Sequence, residues 1–196
     1  MKPWGYSTEF NGNRPAARPI GPRRRMSLGP ALYYSVLVAV LALDRFTKWL
    51  VTQTLDLNHS LPVLEPVLRF THVRNTGAAF SLLADFNTPW RLVLFVTVAF
   101  CAFVVLTVIA HREQGRGWSL LVPLAMVSGG AVGNMIDRVF QSGMVTDFIE
   151  FSYRAFHFPV FNVADSSVFL GVCWLLIHTF RQKPGRGDSS HSLGSV

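Results

Sequence analysis

Apolar residues in this chain are gathered into four blocks, at roughly 31–51, 90–110, 118–138 and 160–180. Each holds about twenty residues, which at 1.5 Å per residue covers a hydrocarbon core of about 30 Å. The pattern therefore predicts four membrane-spanning helices. The second block is uncharged from Leu92 to Ala110, whereas the first, third and fourth carry polar residues near one end. Between the first two blocks, residues 61–73 are rich in Val, Leu, Phe and Thr. They alternate in part, with Leu68, Phe70 and His72 set against Arg69, Thr71 and Val73. That period of two predicts short strands on the membrane surface, closed by a turn at Asn75-Thr76-Gly77. Segment 139–159 contains Phe148, Phe151, Tyr153, Phe156 and Phe158, residues suited to the headgroup interface. The fold class expected is an all-α membrane protein, a four-transmembrane-helix bundle with a small extracytoplasmic β-sheet.

Composition agrees with this reading. Half of the 196 residues are apolar, 15% are charged, and the mean hydropathy is +0.33. A net charge of +7 and a pI near 10.1 suggest nucleic acid at first sight. The basic residues instead flank the apolar blocks, and no nucleic-acid-binding motif occurs, so nucleic acid is not expected as a partner. Lys2, Arg14, Arg18 and Arg23-Arg24-Arg25 precede the first block, Arg112 and Arg116 link the second to the third, and Arg181, Lys183 and Arg186 follow the fourth. The loops 52–89 and 139–159 hold only Arg69, Arg74 and Arg154 away from the helix ends. By the positive-inside rule both termini are cytoplasmic and these two loops lie outside.

Three regions follow: a basic, disordered cytoplasmic tail over 1–29, a membrane domain over 30–181, and a cytoplasmic tail over 182–196. A basic stretch before an apolar one also resembles a secretory signal peptide. The first block is long, however, and no small-x-small cleavage site closes it, so a retained helix is expected. Cys101 and Cys173 lie inside apolar blocks with no CxxC spacing, and the six histidines form no HExxH pattern. No disulfide, metal or cofactor is indicated.

The awkward polar residues gather at one depth. Asp44 and Lys48 are spaced i, i+4 toward the outer end of the first block, with Arg45 about 100° round the helix from Asp44. Asn134, Asp137 and Arg138 close the third block, Asn162 and Asp165 begin the fourth, Asp147 falls in the loop between, and Asn75 follows the strands. Several of these have structural readings. Asp44 and Lys48 form a plausible helix-surface pair, Asp137 and Arg138 can close a helix end, and Gly129, Gly130 and Gly133 suit close helix packing. Asn75 can merely shape its turn. Asp165, inside an apolar segment, is harder to dismiss, because a carboxylate at membrane depth needs a partner, water or a task. Asp147 becomes persuasive beside it. Two carboxylates that meet share a proton: the ionised member activates water, and the protonated one donates toward the carbonyl oxygen and then the leaving amine.

At these residues the chain resembles the lipoprotein signal peptidase (signal peptidase II) family. Four motifs carry the resemblance: Asp44-Arg45-Phe46-Thr47-Lys48; Asn75-Thr76-Gly77-Ala78-Ala79-Phe80; Gly129 to Arg138 continuing to Val145-Thr146-Asp147-Phe148; and Phe161-Asn162-Val163-Ala164-Asp165-Ser166. Together they span roughly residues 31–180. The resemblance implies a four-helix membrane bundle with a small extracytoplasmic sheet and a mobile lid loop over the active site. It implies an aspartic endopeptidase of the bacterial cytoplasmic membrane that cleaves signal peptides from prolipoproteins before a diacylglyceryl-modified cysteine. By resemblance the catalytic dyad is Asp147 and Asp165, and the substrate-binding or supporting residues are Asn75, Asn134, Arg138 and Asn162. Asp44, Lys48, Gly77 and Asp137 are structural positions near the site. The implied partners are prolipoprotein substrates and membrane lipid, with the enzyme a monomer. Arg45 departs from the family, which often has Gln there, and the long basic N-terminal tail is an extension. The second external loop, 139–159, is the expected lid.

Two other classes compete. A small proton-coupled transporter also uses intramembrane aspartates, but here the polar residues gather at one face and trace no path across. A non-catalytic scaffold would tolerate loss of either aspartate. Among intramembrane proteases, the presenilin type is disfavoured because no apolar block carries its GxGD motif.

Overall fold

A computed structural model of the chain describes Met1 and residues 28–77 and 88–181. The expected tails, save Met1 and the first residues of the first helix, lie outside the described residues, as do Ala78, Ala79 and Phe80 of the second motif. Four helices are long and apolar enough to cross a membrane: α1 (Leu28–Thr54), α2 (Thr88–Arg112), α3 (Trp118–Phe140) and α4 (Val163–Arg181). Because α1 begins at Leu28, the boundary expected after residue 29 falls inside a helix. The outward faces carry exposed Val38, Phe46, Trp49, Val98, Val105 and Phe180. Hydrocarbon is the solvent for those faces, so apolar side chains there need no protein cover.

Helix α3 is the one against which α1, α2 and α4 all pack. Its sequence explains why. Ser128, Gly129, Gly130 and Gly133 are buried along it, and small residues let backbones approach where lipid supplies no hydrophobic drive between helices. A Cβ on Gly130 would stand 2.4 Å from the Ala164 carbonyl oxygen of α4, and one on Gly133 would stand 2.8 Å from Oδ2 of Asp44. Toward the other end of the bundle, the Tyr33 hydroxyl of α1 donates to Ser128 Oγ at 2.8 Å and meets Thr107 Oγ1 of α2 at 2.8 Å. This pins three helices through one hydroxyl.

The extramembrane part is a four-stranded antiparallel sheet in the order β1-β2-β3-β4. Its strands are β1 (Ser60–Leu64), β2 (Leu68–Asn75), β3 (Val145–Tyr153) and β4 (Phe156–His157). The first two match the expected strands. Segment 139–159, expected as a lid loop holding Asp147, contains β3 and β4, and Asp147 sits within β3. The pattern hid this strand because Val145, Thr146, Asp147 and Phe148 are all buried, leaving no alternation to read. A register shift between Phe70 and Val73 bulges β2 where it faces β3 and pairs Val73 with Asp147.

The chain then returns along β3 before α4 begins. Ile149 N–H donates to the Phe161 carbonyl at 2.7 Å, and Phe161 N–H donates back to Ile149 at 3.0 Å. That extended bridge explains why α4 starts at Val163 and not at residue 160. Asn162 caps it: the Asp165 N–H donates to Asn162 Oδ1 at 2.9 Å, and the Asn162 N–H donates to Asp165 Oδ2 at 3.2 Å. The reciprocal pair has the logic of a capping box.

The tight α3–α4 contact yields a first expectation. Gly130→Ala will destabilise the protein by about 1–3 kcal/mol through overpacking, whereas Gly115→Ala, with nothing within 4 Å of the new Cβ, will not. Thermal unfolding in detergent tests this, and equal midpoints for the two variants would contradict it.

Candidate active site

Two layers of polar residues meet where the bundle joins the sheet. The deeper layer is ionic. Asp44 and Asp137 are fully buried or nearly so, at 0% and 1% exposure, and Lys48 is 4% exposed. Lys48 Nζ lies 3.0 Å from Asp44 Oδ2 and 2.8 Å from Asp137 Oδ2. Arg45 reaches the same two carboxylates, at 2.8 Å and 2.6 Å. The two acids and two bases leave no net charge, the condition under which buried ions are tolerable. The remaining lone pairs tie other elements in. Asp44 Oδ1 accepts the Ala164 N–H of α4 at 3.0 Å, and Asp137 accepts from Gln141 Nε2 at 2.9 Å and from the Thr146 N–H of β3 at 3.3 Å.

The outer layer holds the two expected aspartates. Asp147, 2% exposed, accepts at Oδ2 from Asn75 Nδ2 at 2.9 Å and at Oδ1 from Asn162 Nδ2 at 2.6 Å. Asp165 accepts at Oδ1 from Asn134 Nδ2 at 2.7 Å, and its Oδ2 takes the Asn162 N–H already described. Asn162 therefore touches both carboxylates, one with its side chain and one with its backbone. Its Nδ2 also lies 3.1 Å from Asn134 Oδ1.

Burial pushes the Asp147 carboxyl up to about 6. The Asn75 donor opposes this, the negative charge of Asp165 adds to it, and Asn162 and Lys48 oppose it further. A carboxyl so placed holds its proton at pH values where an ordinary aspartate has lost it. With a second carboxyl at hand, such a pair can supply both a base and an acid.

Asn75 is oriented by its own turn. The Gly77 N–H donates to Asn75 Oδ1 at 2.8 Å, leaving the Nδ2 end for Asp147. Gly77 has φ +81, and a Cβ there would meet the Phe95 ring at 2.9 Å, so only glycine fits. Phe95 in turn carries the Arg138 guanidinium 4.7 Å from its ring centroid. Arg138 also donates to the Asn134 carbonyl at 3.2 Å, while its buried Nε has no hydrogen-bond partner among the described residues.

Among the described residues, three cavities open on this layer. One of about 550 Å³ lies between α2, α3 and α4, lined by apolar residues such as Phe95, Val127, Ala131 and Val172, with Asn134, Arg138 and Asp165 also in its wall. A second, also about 550 Å³, is bounded by Phe151, Phe156, Phe158, Phe161 and Phe169, with Asp165 in its wall. A third, of about 260 Å³, includes Val73, Asn75, Asp147 and Pro159.

Every residue expected at the site thus falls in one of these two layers or in direct contact with them. Asp147, Asp165, Asn75, Asn134 and Asn162 form one hydrogen-bonded group. Asp44, Lys48 and Asp137 form the ionic layer beneath, and Arg138 and Gly77 lie alongside. The sequence set Arg45 apart from the Asp44–Lys48 face, yet its long side chain wraps into the cluster. Thr146 and Phe161 stood in the quoted motifs without a role of their own, and Phe95 was not singled out. Their roles depend on strand register and helix packing, which leave no local signal.

Fold and site together define a multi-pass membrane protein with an aspartate pair, Asp147 buried and Asp165 half-buried, where its helices meet its sheet. The family model described as "Signal peptidase (SPase) II" matches residues 36–181. A lipoprotein signal peptidase of Geobacter sulfurreducens is 38% identical over 152 residues, covering 78% of this chain and 93% of that protein. One of Coxiella burnetii is 41% identical over 149 residues, covering 76% and 88%. A solved structure described as a bacterial membrane enzyme aligns with a TM-score of 0.69 at 27% identity, covering 85% of this chain and 94% of that one. The chain belongs to the signal peptidase II family.

The Asp147 environment gives a second expectation. In infrared difference titration, a protonated carboxyl band absent from Asp147→Asn will disappear as the pH rises through about 6. A midpoint near the ordinary aspartate value of about 3.9 would contradict the burial argument.

Proposed function

We propose that this chain is a membrane aspartic endopeptidase that removes signal peptides from diacylglyceryl-modified bacterial prolipoproteins, with Asp147 and Asp165 as its catalytic dyad. The observation that carries the proposal is Asn162, completely buried, hydrogen-bonded to both aspartates beside apolar cavities at the membrane end of the sheet. Two carboxylates held by one residue, one by its side-chain amide and the other by its backbone N–H, share a single proton. The ionised member takes a proton from water as the oxygen attacks the scissile carbonyl carbon. The protonated member donates to the carbonyl oxygen, and collapse of the tetrahedral intermediate breaks the C–N bond as the amine takes up a proton. The enzyme forms no covalent bond to the substrate.

The cavity between α2, α3 and α4 suits the apolar signal segment, and its polar wall brings the scissile bond to the dyad. Asn75, Asn134 and Asn162 already spend amide groups on the aspartates and on each other, so in this reading they orient the dyad. Arg138, which lines the same cavity and whose Nε has no partner among the described residues, is the residue left to hold a substrate carbonyl. Asp44, Lys48 and Asp137 support the site from below.

In this reading the sheet and dyad lie outside and both termini in the cytoplasm, with the enzyme a monomer in the cytoplasmic membrane. It draws on the positive flanking charges of 2–25, 112–116 and 181–186.

Asp147→Asn and Asp165→Asn, made separately, will each reduce cleavage of a diacylglyceryl-modified prolipoprotein by about a hundredfold or more, with both variants still folded. Retained cleavage in either would sink the dyad assignment. Chelators will leave the rate unchanged, since in this reading the two aspartates supply both the acid and the base. Inhibition by a chelator that added zinc reverses would point to a different chemistry.

A further inference from the structure

Lys48 reaches beyond the ionic layer. Its ammonium has three protons and faces three acceptors: the two carboxylates already described, and Oδ1 of Asn134 at 3.0 Å. Ion pairing alone does not require that third contact. Arg45 already bridges Asp44 and Asp137, so the two acids have a shared cation without Lys48. What the described residues assign to Lys48 and not to Arg45 is a charged donor aimed from the ionic layer at the amide beside the dyad.

That contact bears on which way round the amide sits. An asparagine side chain has nearly the same shape after a half-turn, but its oxygen accepts and its nitrogen donates. Two donors converge on Asn134 Oδ1, Lys48 Nζ at 3.0 Å and Asn162 Nδ2 at 3.1 Å, while Asn134 Nδ2 faces Asp165 Oδ1 at 2.7 Å. Turning the amide over would set its NH₂ against an ammonium and another NH₂, and its carbonyl oxygen against a carboxylate. All three contacts would become repulsive. The charged donor is the stronger of the two that hold Oδ1.

We propose that Lys48 is a positioning residue for the reaction: it locks the orientation of Asn134 and thereby keeps an N–H, not a carbonyl oxygen, on Asp165. The proposal rests on the dyad reading above. It moves Lys48 from a purely structural part of the bundle to one that acts on the dyad through one intervening amide. Asp44 and Arg45 of α1, Asp137 and Arg138 of α3, Asp165 of α4 and Asp147 of β3 are the charged groups around this pair. None of them takes the place of Lys48 on Asn134 Oδ1.

A mutant cycle separates this role from a merely structural one. Lys48→Met, Asn134→Ala and the double variant are assayed for cleavage of a diacylglyceryl-modified prolipoprotein peptide, with thermal unfolding in detergent as a check on folding. Loss of one charged hydrogen bond predicts that Lys48→Met lowers kcat by about ten- to a hundredfold, with KM unchanged. If Lys48 acts through Asn134, the double variant will be no slower than Asn134→Ala, within about twofold. Multiplying losses, or wild-type kcat in folded Lys48→Met, would overturn the proposal.

Should Lys48→Met fail to fold, the same cycle is run with Lys48→Arg, which preserves the cluster's charge but replaces one compact donor with a longer planar fork. The same two outcomes then decide. Asp165→Asn is assayed alongside. An active Asp165→Asn refutes the dyad reading itself, whereas an inactive one with a multiplicative cycle refutes only the role of Lys48.

Discussion

A charge buried at membrane depth must find its counter-charge within the protein, and that constraint organises this molecule. Asp44 and Asp137 have no water to turn to, so α1 and α3 must lie close enough for Lys48 and Arg45 to reach both carboxylates. The acids then use their remaining lone pairs on the first turn of α4 and on the backbone of β3. Four elements, α1, α3, β3 and α4, are fixed by one neutral cluster. Such a cluster need not stabilise the bundle more than apolar packing would. It makes alternative registers of the helices costly, because any slip leaves a charge unpaired.

The glycine face of α3 and the ionic cluster serve the same end. Gly133 leaves room for the Asp44 carboxylate, and Gly130 lets the Ala164 carbonyl approach the α3 backbone. The start of α4 is thereby held against α3, while the Phe161–Ile149 bridge holds the preceding residues against β3. Asn162 lies between these two attachments. Its position follows from packing on one side and strand pairing on the other, and the proposed dyad inherits its geometry from both.

Much of the membrane architecture was legible because hydrocarbon imposes simple rules. Blocks of about twenty apolar residues had to be helices, and the alternation at 68–73 marked β2. Asp165 stood out as a carboxylate in an apolar block, and the Asp44–Lys48 spacing foretold their contact. Strand β3 was hidden for a physical reason: a segment buried on both faces loses its alternation, so Asp147 looked like a loop residue. Arg45 was hidden because helical spacing locates a Cβ, not the reach of a guanidinium. The start of α4 was misplaced by three residues because hydropathy does not register a cap.

By itself, the sequence determined four spans, the clustering of polar residues toward one membrane face and the residue types available for chemistry. Those are consequences of local composition meeting an apolar solvent. Only the tertiary structure decided that Asn162 touches both aspartates, that Asn134 stands between Lys48 and Asp165, and that Arg138 Nε has no partner among the described residues. These depend on the direction in which each side chain leaves its backbone and on the order in which donors and acceptors are used up. A one-residue slip in register would change them all while leaving the hydropathy pattern intact.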